Sequence, residues 1–250
     1  MNKLSIKTSL IKEILLLTKE LNDEQLWLII NSEQCILLSV DFAHVGIVEI
    51  NIKKEHFEFY EIEKPFTAII CPETLLKEIK DILSPNVQIE FTEKFISVKW
   101  INGFKHGWSE SNVLLKTVDS IGLKPPKRPK ITLPVVIQNI DSIDFLKIVH
   151  DCSLLSDKLT LEIMTKADKS QWLTISADNN EGEMYISYFI QSYADKEATS
   201  MYSICYLELL NKLQSHNLEL SLGIDYPIKL SWSYENADFV YMIAPRIENK

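Results

Sequence analysis

The sequence predicts an α+β fold of two similar halves, each with helices on one face of antiparallel sheets. Segments with apolar residues at helical spacing are separated by several short segments in which apolar and polar residues alternate. Four prolines within residues 119–134 exclude a helix or an interior strand there. The order helix, strands, helix, strands occurs on both sides of that stretch. We therefore expect domains at residues 1–118 and 135–250, joined by an extended connector at 119–134.

Four lysines mark the internal repeat. Lys12 and Lys77 are 65 positions apart, and so are Lys147 and Lys212. Each of these lysines lies in a predicted helix, off its apolar stripe. The equal spacing supports two copies of one structural unit.

Four helices are predicted, at residues 8–21, 72–83, 141–155 and 202–216. Pro72 opens the second at a position where its missing N–H does no harm. In the third, Ile143 and Leu146 are expected to face the core, and in the fourth Tyr206 and Leu210. The predicted strands are residues 25–31, 35–40, 45–52, 57–63, 65–70, 87–91, 95–100 and 113–118 in the first half, and 159–164, 172–177, 183–190, 218–222, 228–234 and 239–243 in the second.

Composition limits the possible functions. The formal net charge of −9 argues against wrapping a polyanion, so any nucleic-acid role must depend on where the lysines lie. Four widely separated cysteines without a Cys-x-x-Cys pair are typical of reduced cysteines in an intracellular protein. No apolar run has the length of a membrane span, and we expect neither a signal peptide nor a membrane role.

Enzyme signatures are missing from the sequence. It contains no P-loop, no Gly-x-Gly-x-x-Gly, no His-Glu-x-x-His and no Gly-x-Ser-x-Gly, and its five histidines are scattered. We expect no catalytic residues, no metal and no cofactor, although scattered side chains could still converge in space.

Two segments carry a family resemblance. Asp41-Phe-Ala-His-Val45 resembles the Asp-x-Ser/Ala-His-Val corner of sliding clamps of the proliferating cell nuclear antigen (PCNA) type. Tyr241-Met-Ile-Ala-Pro-Arg-Ile-Glu248 resembles the closing Leu-Ala-Pro-Lys/Arg-Ile/Val-Glu strand of that family. Both lie at the expected distances from the chain ends, so the resemblance covers nearly the whole chain. It implies a DNA sliding clamp, a polymerase processivity factor without chemistry of its own.

The resemblance also implies an assembly and partners. Three such subunits would form a pseudo-sixfold trimeric ring, with helices lining the hole and sheets outside. The ring would encircle duplex DNA and dock DNA polymerase, flap nuclease and DNA ligase through a peptide motif. A separate ATP-driven clamp loader would open it, since this chain has no nucleotide-binding motif.

The resemblance assigns a DNA-facing set to the four helices. Phosphates require charge rather than a base-specific fork, and lysine supplies a mobile point charge. Without the resemblance, ordinary solvated helix faces would be the preferred explanation of these lysines. His150 and Cys205 stand where the family usually has basic residues. The expected DNA-binding residues are Lys12, Lys19, Lys77, Lys80, Lys147, His150 and Lys212.

The resemblance assigns a hydrophobic peptide groove to the corner, the connector and the closing strand. Some of these residues could be ordinary core, but apolar Ile121 and Leu123 in a proline-rich connector must cover something. Met242 replaces a Tyr common in the family. The basic run from Lys124 to Lys130 is either solvated or selects acidic partner tails. The expected groove residues are Val40, His44, Val45, Ile47, Ile121, Leu123, Pro227, Met242, Ala244 and Pro245.

The resemblance also makes residues 113–118 and 183–190 edge strands at the subunit interface. Apolar edges without proline or buried charge are suited to pairing with a neighbour's edge, although a normally covered strand is the alternative. The expected interface residues are Val113, Leu115, Tyr185, Ser187 and Phe189.

Two alternatives stay open. The chain could be a subunit of a heterotrimeric or checkpoint-type clamp, or an α+β enzyme with an unrecognised site. The mass in solution, alone and with sister subunits, discriminates among them. We expect an intracellular protein, in the cytoplasm or nucleoid if archaeal and in the nucleus if eukaryotic.

Overall fold

The computed structural model describes residues 2–92, 95–102, 107–114, 116–117, 123–166, 170–179, 182–190, 197–212 and 216–247. The chain divides into two compact units, one of residues 1–127 with 233–239 and one of residues 128–232 with 240–250. The domain limits predicted at residues 118 and 135 stay a prediction.

The described residues form four α-helices, α1 Thr8–Leu21, α2 Pro72–Ile79, α3 Ser142–Ser153 and α4 Ile204–Glu208, with short 3-10 helices at Lys54–His56 and Leu209–Lys212. The strands of the first unit are β1 Asn2–Lys7, β2 Leu26–Ile30, β3 Gln34–Val40, β4 Gly46–Lys53, β5 Tyr60–Glu61, β6 Phe66–Ile70, β7 Asn86–Phe91, β8 Phe95–Asn102, β9 Gly107–Leu114 and β10 Lys116–Thr117. The later strands are β11 Val135–Asp141, β12 Lys158–Thr165, β13 Gln171–Asp178, β14 Glu183–Ile190, β15 Ala198–Ser203, β16 Asn217–Leu222, β17 Ile228–Tyr234 and β18 Ala237–Ile243.

In the first unit, two groups of antiparallel strands carry the helices. One sheet has the order β5-β1-β7-β8-β9, and β10, β6, β2, β3 and β4 lie side by side in another. α1 packs on β1, β3 and β4 and also against α2. The inner stripe of α1, which includes Leu10, Ile14 and Leu17, is buried. Strand β4 alternates as a half-buried strand should, with Val48, Ile50 and their even-numbered neighbours inside.

The second unit repeats the plan. Its four-stranded sheet has the order β14-β13-β12-β15, and β17, β16 and β11 are antiparallel neighbours. α3 packs on β11, β12 and β13 and against α4. The Asp141 carboxylate caps α3 by accepting hydrogen bonds from the backbone N–H groups of Ile143 and Asp144, at 2.8 and 3.2 Å. The α+β class, the antiparallel sheets and the four helices agree with the prediction.

Several element predictions are wrong. α2 ends at Ile79, and Leu83, at the end of the predicted helix, is 92% exposed. Ile143 is 60% exposed, because Phe145 rather than Ile143 completes the inner stripe of α3. The fourth helix does not begin at Tyr202, since β15 contains that residue. Strands β1, β11 and β15 were not predicted, and only Tyr60–Glu61 of residues 57–63 forms a strand.

Candidate functional site

The corner between β3 and β4 is organised by one buried carboxylate. Asp41 accepts a hydrogen bond from the backbone N–H of Ala43 at 3.0 Å, and from those of Val45 and Gly46 at 2.7 Å each. Its own N–H donates to the Gly46 carbonyl at 3.1 Å. Asp41 thus bonds the backbone of its own turn, as Asp side chains at tight corners often do. His44, at φ 57°, takes the left-handed conformation that this tight turn requires.

A second buried polar side chain ties the corner to α1. Asn22 follows the last residue of that helix, and its amide donates to the Val40 carbonyl at 2.8 Å. Its side-chain oxygen accepts from the N–H groups of Glu24 and Gln25. Sequence reasoning missed Asn22, because an Asn after a helix also occurs in ordinary turns.

The corner therefore presents a shaped, partly apolar surface. Phe42 is 67% exposed, and His44 is also exposed. Val40, Val45 and Ile47 are half-buried. Ile47 also packs on the buried cluster of Trp27, Leu38 and Ile69. Val40, Val45 and Ile47 thus retain accessible apolar area. The fully buried face of β4 is the opposite one.

The other predicted groove residues lie in the connector and in the second unit. Leu123 is 47% exposed, and Ile121 lies outside the described residues. Pro227, Met242, Ala244 and Pro245 are each half-buried within their own unit. Arg246 anchors this closing segment through a 2.7 Å ion pair with Asp157 and a 2.7 Å backbone hydrogen bond to Met201.

The predicted DNA-binding lysines of the first unit lie on α1 and at α2. Lys12 donates to the Ile82 carbonyl at 2.9 Å. Lys77 pairs with Glu73 one turn earlier, at 3.0 Å, and Lys80 is exposed. The hydrogen bond from Lys77 and its charge, with a smaller contribution from Lys19, lower the pKa of Glu73. Lys19 and Lys77 therefore act on the same carboxylate from the two helices.

The second unit offers fewer described cations on its helices. Lys147 is exposed on α3. His150 Nδ1 lies 3.7 Å from Glu208 Oε1, so this imidazole has a carboxylate neighbour. Lys212 ends the 3-10 helix after α4, and its side chain lies outside the described part of the chain. Cys205 is exposed on α4, but its thiol is partly covered, and this partial burial raises the pKa of the thiol.

Two of the terminal strands in the described sheets contain predicted interface residues. β9 is last in the five-stranded sheet, and β14 is last in the four-stranded one. Val113 is buried and pairs with Ile96 on β8, while Leu115 lies outside the described residues. On β14, Tyr185 is exposed and pairs with Ser176, and Ser187 and Phe189 follow on the same strand.

Two other features are absent from the described residues. They contain no group of three or more His, Cys, Asp or Glu side chains placed to hold a metal ion. No helix within them is long and apolar enough to cross a membrane.

The relatives found by comparison with known proteins share one description. No protein-family model matches the sequence. A DNA polymerase sliding clamp of Methanoregula boonei is 28% identical over 223 residues, covering 84% of both chains. One from Methanococcoides burtonii is 27% identical over 263 aligned positions, covering all of both chains.

Solved structures show the same fold. The structure described as the C-terminal region of FEN-1 bound to A. fulgidus PCNA matches with a TM-score of 0.86 at 23% identity, covering all of both chains. PCNA from Thermococcus kodakaraensis matches with a TM-score of 0.83 at 17% identity, covering 98% of this chain and all of the other. This chain therefore shares its fold with both PCNA structures.

Proposed function

Because this chain is a PCNA-type DNA polymerase sliding clamp by sequence and fold, homologous to archaeal clamps over most of its length, we propose that it encircles duplex DNA and docks replication and repair proteins. Clamps of this family are non-enzymatic processivity factors. The observation that carries the proposal is the alignment with curated clamps across 84% to 100% of both chains.

The DNA contact is assigned to the helix-borne lysines. The chain has a net charge of −9, so a polyanion would be repelled unless cations were collected on one surface. Exposed Lys77, Lys80 and Lys147 on or just after the helices supply such cations. Contacts that must slide along DNA should be numerous, weak and independent of sequence, which suits lysine.

Partner docking is assigned to the predicted groove. A structure with this fold contains the C-terminal region of FEN-1 bound to PCNA. In this chain the corner holds Val45 and Ile47 half-buried, and Leu123 is accessible. We infer that a peptide with the Gln-x-x-aliphatic-x-x-aromatic-aromatic motif, carried by a polymerase, flap nuclease or ligase, inserts its apolar anchors there.

The assembly is proposed to be a trimer closed through β9 of one subunit and β14 of the next. Both strands end their sheets within the described part of the fold. Strand addition at such edges would supply backbone hydrogen bonds. The neighbours would be copies of this chain or sister subunits, and a separate loader would open the ring inside the cell, where the DNA is.

The test is polymerase stimulation on two primed DNA substrates, one linear with free ends and one covalently closed. Without a loader, the clamp should stimulate synthesis only on the linear substrate, because a closed ring can thread only over an end. Adding the loader and ATP should restore stimulation on the circle. Equal stimulation on closed circles without a loader would rule out encirclement.

A further inference from the structure

We propose that Lys124, Lys127 and Lys130, here called the lysine ridge, bind acidic residues that flank the docking motif of a partner peptide. The inference deepens the proposed docking function and rests on it. It concerns partner choice: the ridge would favour partners with acidic flanks and disfavour partners with basic ones.

The ridge follows from the local backbone. Pro125, Pro126 and Pro129 fix their own φ near −65° and bias the residues before them to extended conformations. Residues 123–133 accordingly form neither helix nor strand. A polyproline II chain has three residues per turn and rises about 3.1 Å per residue, so side chains three positions apart share one side, about 9 Å from each other. The three lysines have this spacing.

All three ridge lysines are accessible to a partner. Each of them is exposed, as are Arg128 and Pro129 between the second and the third. Pro125, Pro126 and Ile131 are half-buried. The connector therefore presents the whole lysine side to solvent. All of these residues belong to one continuous segment of the chain, residues 124–131.

Charge makes the ridge unusual for this chain. Residues 124–130 hold four cations and no anion in a chain of net charge −9. In the part of the chain that the structure describes, no ion pair involves Lys124, Lys127 or Lys130. Arg128 already interacts with another group of the protein, so it is not counted in the ridge. Three ammonium groups are thus available to a partner's carboxylates.

An acidic peptide suits this segment better than nucleic acid does. Leu123, the residue before the ridge, is 47% exposed, and a duplex backbone offers no apolar partner to a leucine. The prolines lack N–H donors, so charged side chains must supply the polar contacts. Complementary charge beside an apolar anchor speeds encounter and rejects partners of the wrong sign.

The test uses peptides that share the docking motif and differ in a flanking tetrapeptide of glutamate, serine or lysine. One set of three peptides carries the flank before the motif, and a second set of three carries it after the motif. The wild-type protein should bind the glutamate peptide about threefold to thirtyfold more tightly than the serine peptide at low salt, and the lysine peptide more weakly. High salt should compress this order. Changing the ridge lysines together, Lys124→Gln, Lys127→Gln and Lys130→Gln, should remove the order and leave serine-peptide affinity unchanged.

The matched control changes three exposed lysines at the far end of β4 and beyond, Lys53→Gln, Lys54→Gln and Lys64→Gln, with the same reduction of charge. It should keep the order. Equal affinity for all flanks, or an order that survives in the ridge variant, would overturn the ridge alone. Loss of duplex DNA binding in the ridge variant with no change in peptide order would assign the ridge to nucleic acid instead. Failure of the serine peptide to bind wild-type protein would overturn the docking groove itself.

Discussion

At the scale of single residues, exposure separates groove residues by the role they can have. Leu123 lies in an irregular connector and is half-exposed, so its side chain contributes little to folding. Ile47 is half-buried and also packs on the Trp27 cluster. Val45, half-buried beside the Asp41 network, has both roles as well.

This difference gives a residue-scale prediction. Leu123→Ala should weaken binding of the motif peptide about tenfold, because the truncated side chain meets its partner only in the complex. Its melting temperature should change little. Val45→Ala should lower both affinity and the free energy of unfolding, the latter by about 1 kcal/mol. Calorimetric titration beside melting curves measures both quantities. Unchanged binding by Leu123→Ala would remove the connector from the groove.

Residue-scale features differed in how far sequence could predict them. The Asp41 turn was predictable, because an Asp at a corner between two alternating strands has few other roles. Ile143 was wrongly placed, since an apolar residue in the first turn of α3 fits a helical stripe whether or not a sheet covers it. Asn22 was missed, because its partner Val40 is 18 positions away in sequence.

At the scale of elements, hydrophobic periodicity correctly predicted long helices and strands. It failed where a strand period and a helix period follow each other within one apolar segment. α1 and β4 each show one clear period over their length. Residues 198–212 change from one period to another. Ala198, Ser200 and Tyr202 are buried at every second position in β15, and Leu207 and Leu210 then follow at helical spacing. The change of period within one apolar stretch explains the misplaced start of the fourth helix.

The helix surfaces carry a prediction about salt. Changing Lys77, Lys80 and Lys147 to Ala should weaken DNA retention and reduce the slope of log affinity against log salt by a little under one unit for each phosphate that the variant no longer neutralises. All three side chains are exposed, so the fold should be unaffected. Lys53, Lys54 and Lys64 changed to Ala serve as the control. An unchanged slope in the helix variant would show that these lysines meet only solvent.

A carboxylate between strands of the first unit carries a prediction about pH. Glu90 on β7 lies 2.9 Å from Lys99 Nζ on β8 and 3.4 Å from Lys3 Nζ on β1. The hydrogen bond from Lys99 is the main cause that lowers the pKa of Glu90 in the folded protein. A lowered pKa stabilises the fold above the pKa of the unfolded chain, about 4.3, and this stabilisation is lost as pH falls through the folded value.

Glu90→Gln should therefore cost about 1 kcal/mol at neutral pH and flatten the loss of stability below about pH 4.3. Urea unfolding at pH 7, 5, 4 and 3 measures this. Glu61→Gln, an exposed residue on β5 of the same sheet, is the control. Parallel pH profiles for wild type and Glu90→Gln would mean that the two lysines do not hold this carboxylate ionised.

At the scale of the whole molecule, the repeated lysine spacing and the proline-rich connector were enough to predict two similar halves. The residues of one chain did not predict the ring, because an edge strand has unpaired backbone groups that do not specify which strand will pair with them. β9 and β14 end their sheets among the described strands, and Tyr185 is 56% exposed on the second of them.

The corresponding prediction concerns mass. In sedimentation over a range of concentrations, the protein should approach three times its 28.9 kDa chain mass. Tyr185→Asp should shift it towards the monomer, because a charge on a pairing edge opposes strand addition. Tyr226→Asp, an exposed tyrosine outside the strands of the same unit, is the matched control. A monomer at every concentration would exclude a homotrimer and leave assembly with sister subunits.

The Asp41 turn has a consequence for how docking energy is divided. Three amides held by one buried carboxylate leave the corner little freedom to rearrange, so a peptide docking beside it would meet a preformed surface. The entropy lost on association would then come mainly from the peptide. Affinity could accordingly be tuned by stiffening or loosening the partner's tail, with this protein left unchanged. Many partners of different affinity could share one corner in this way.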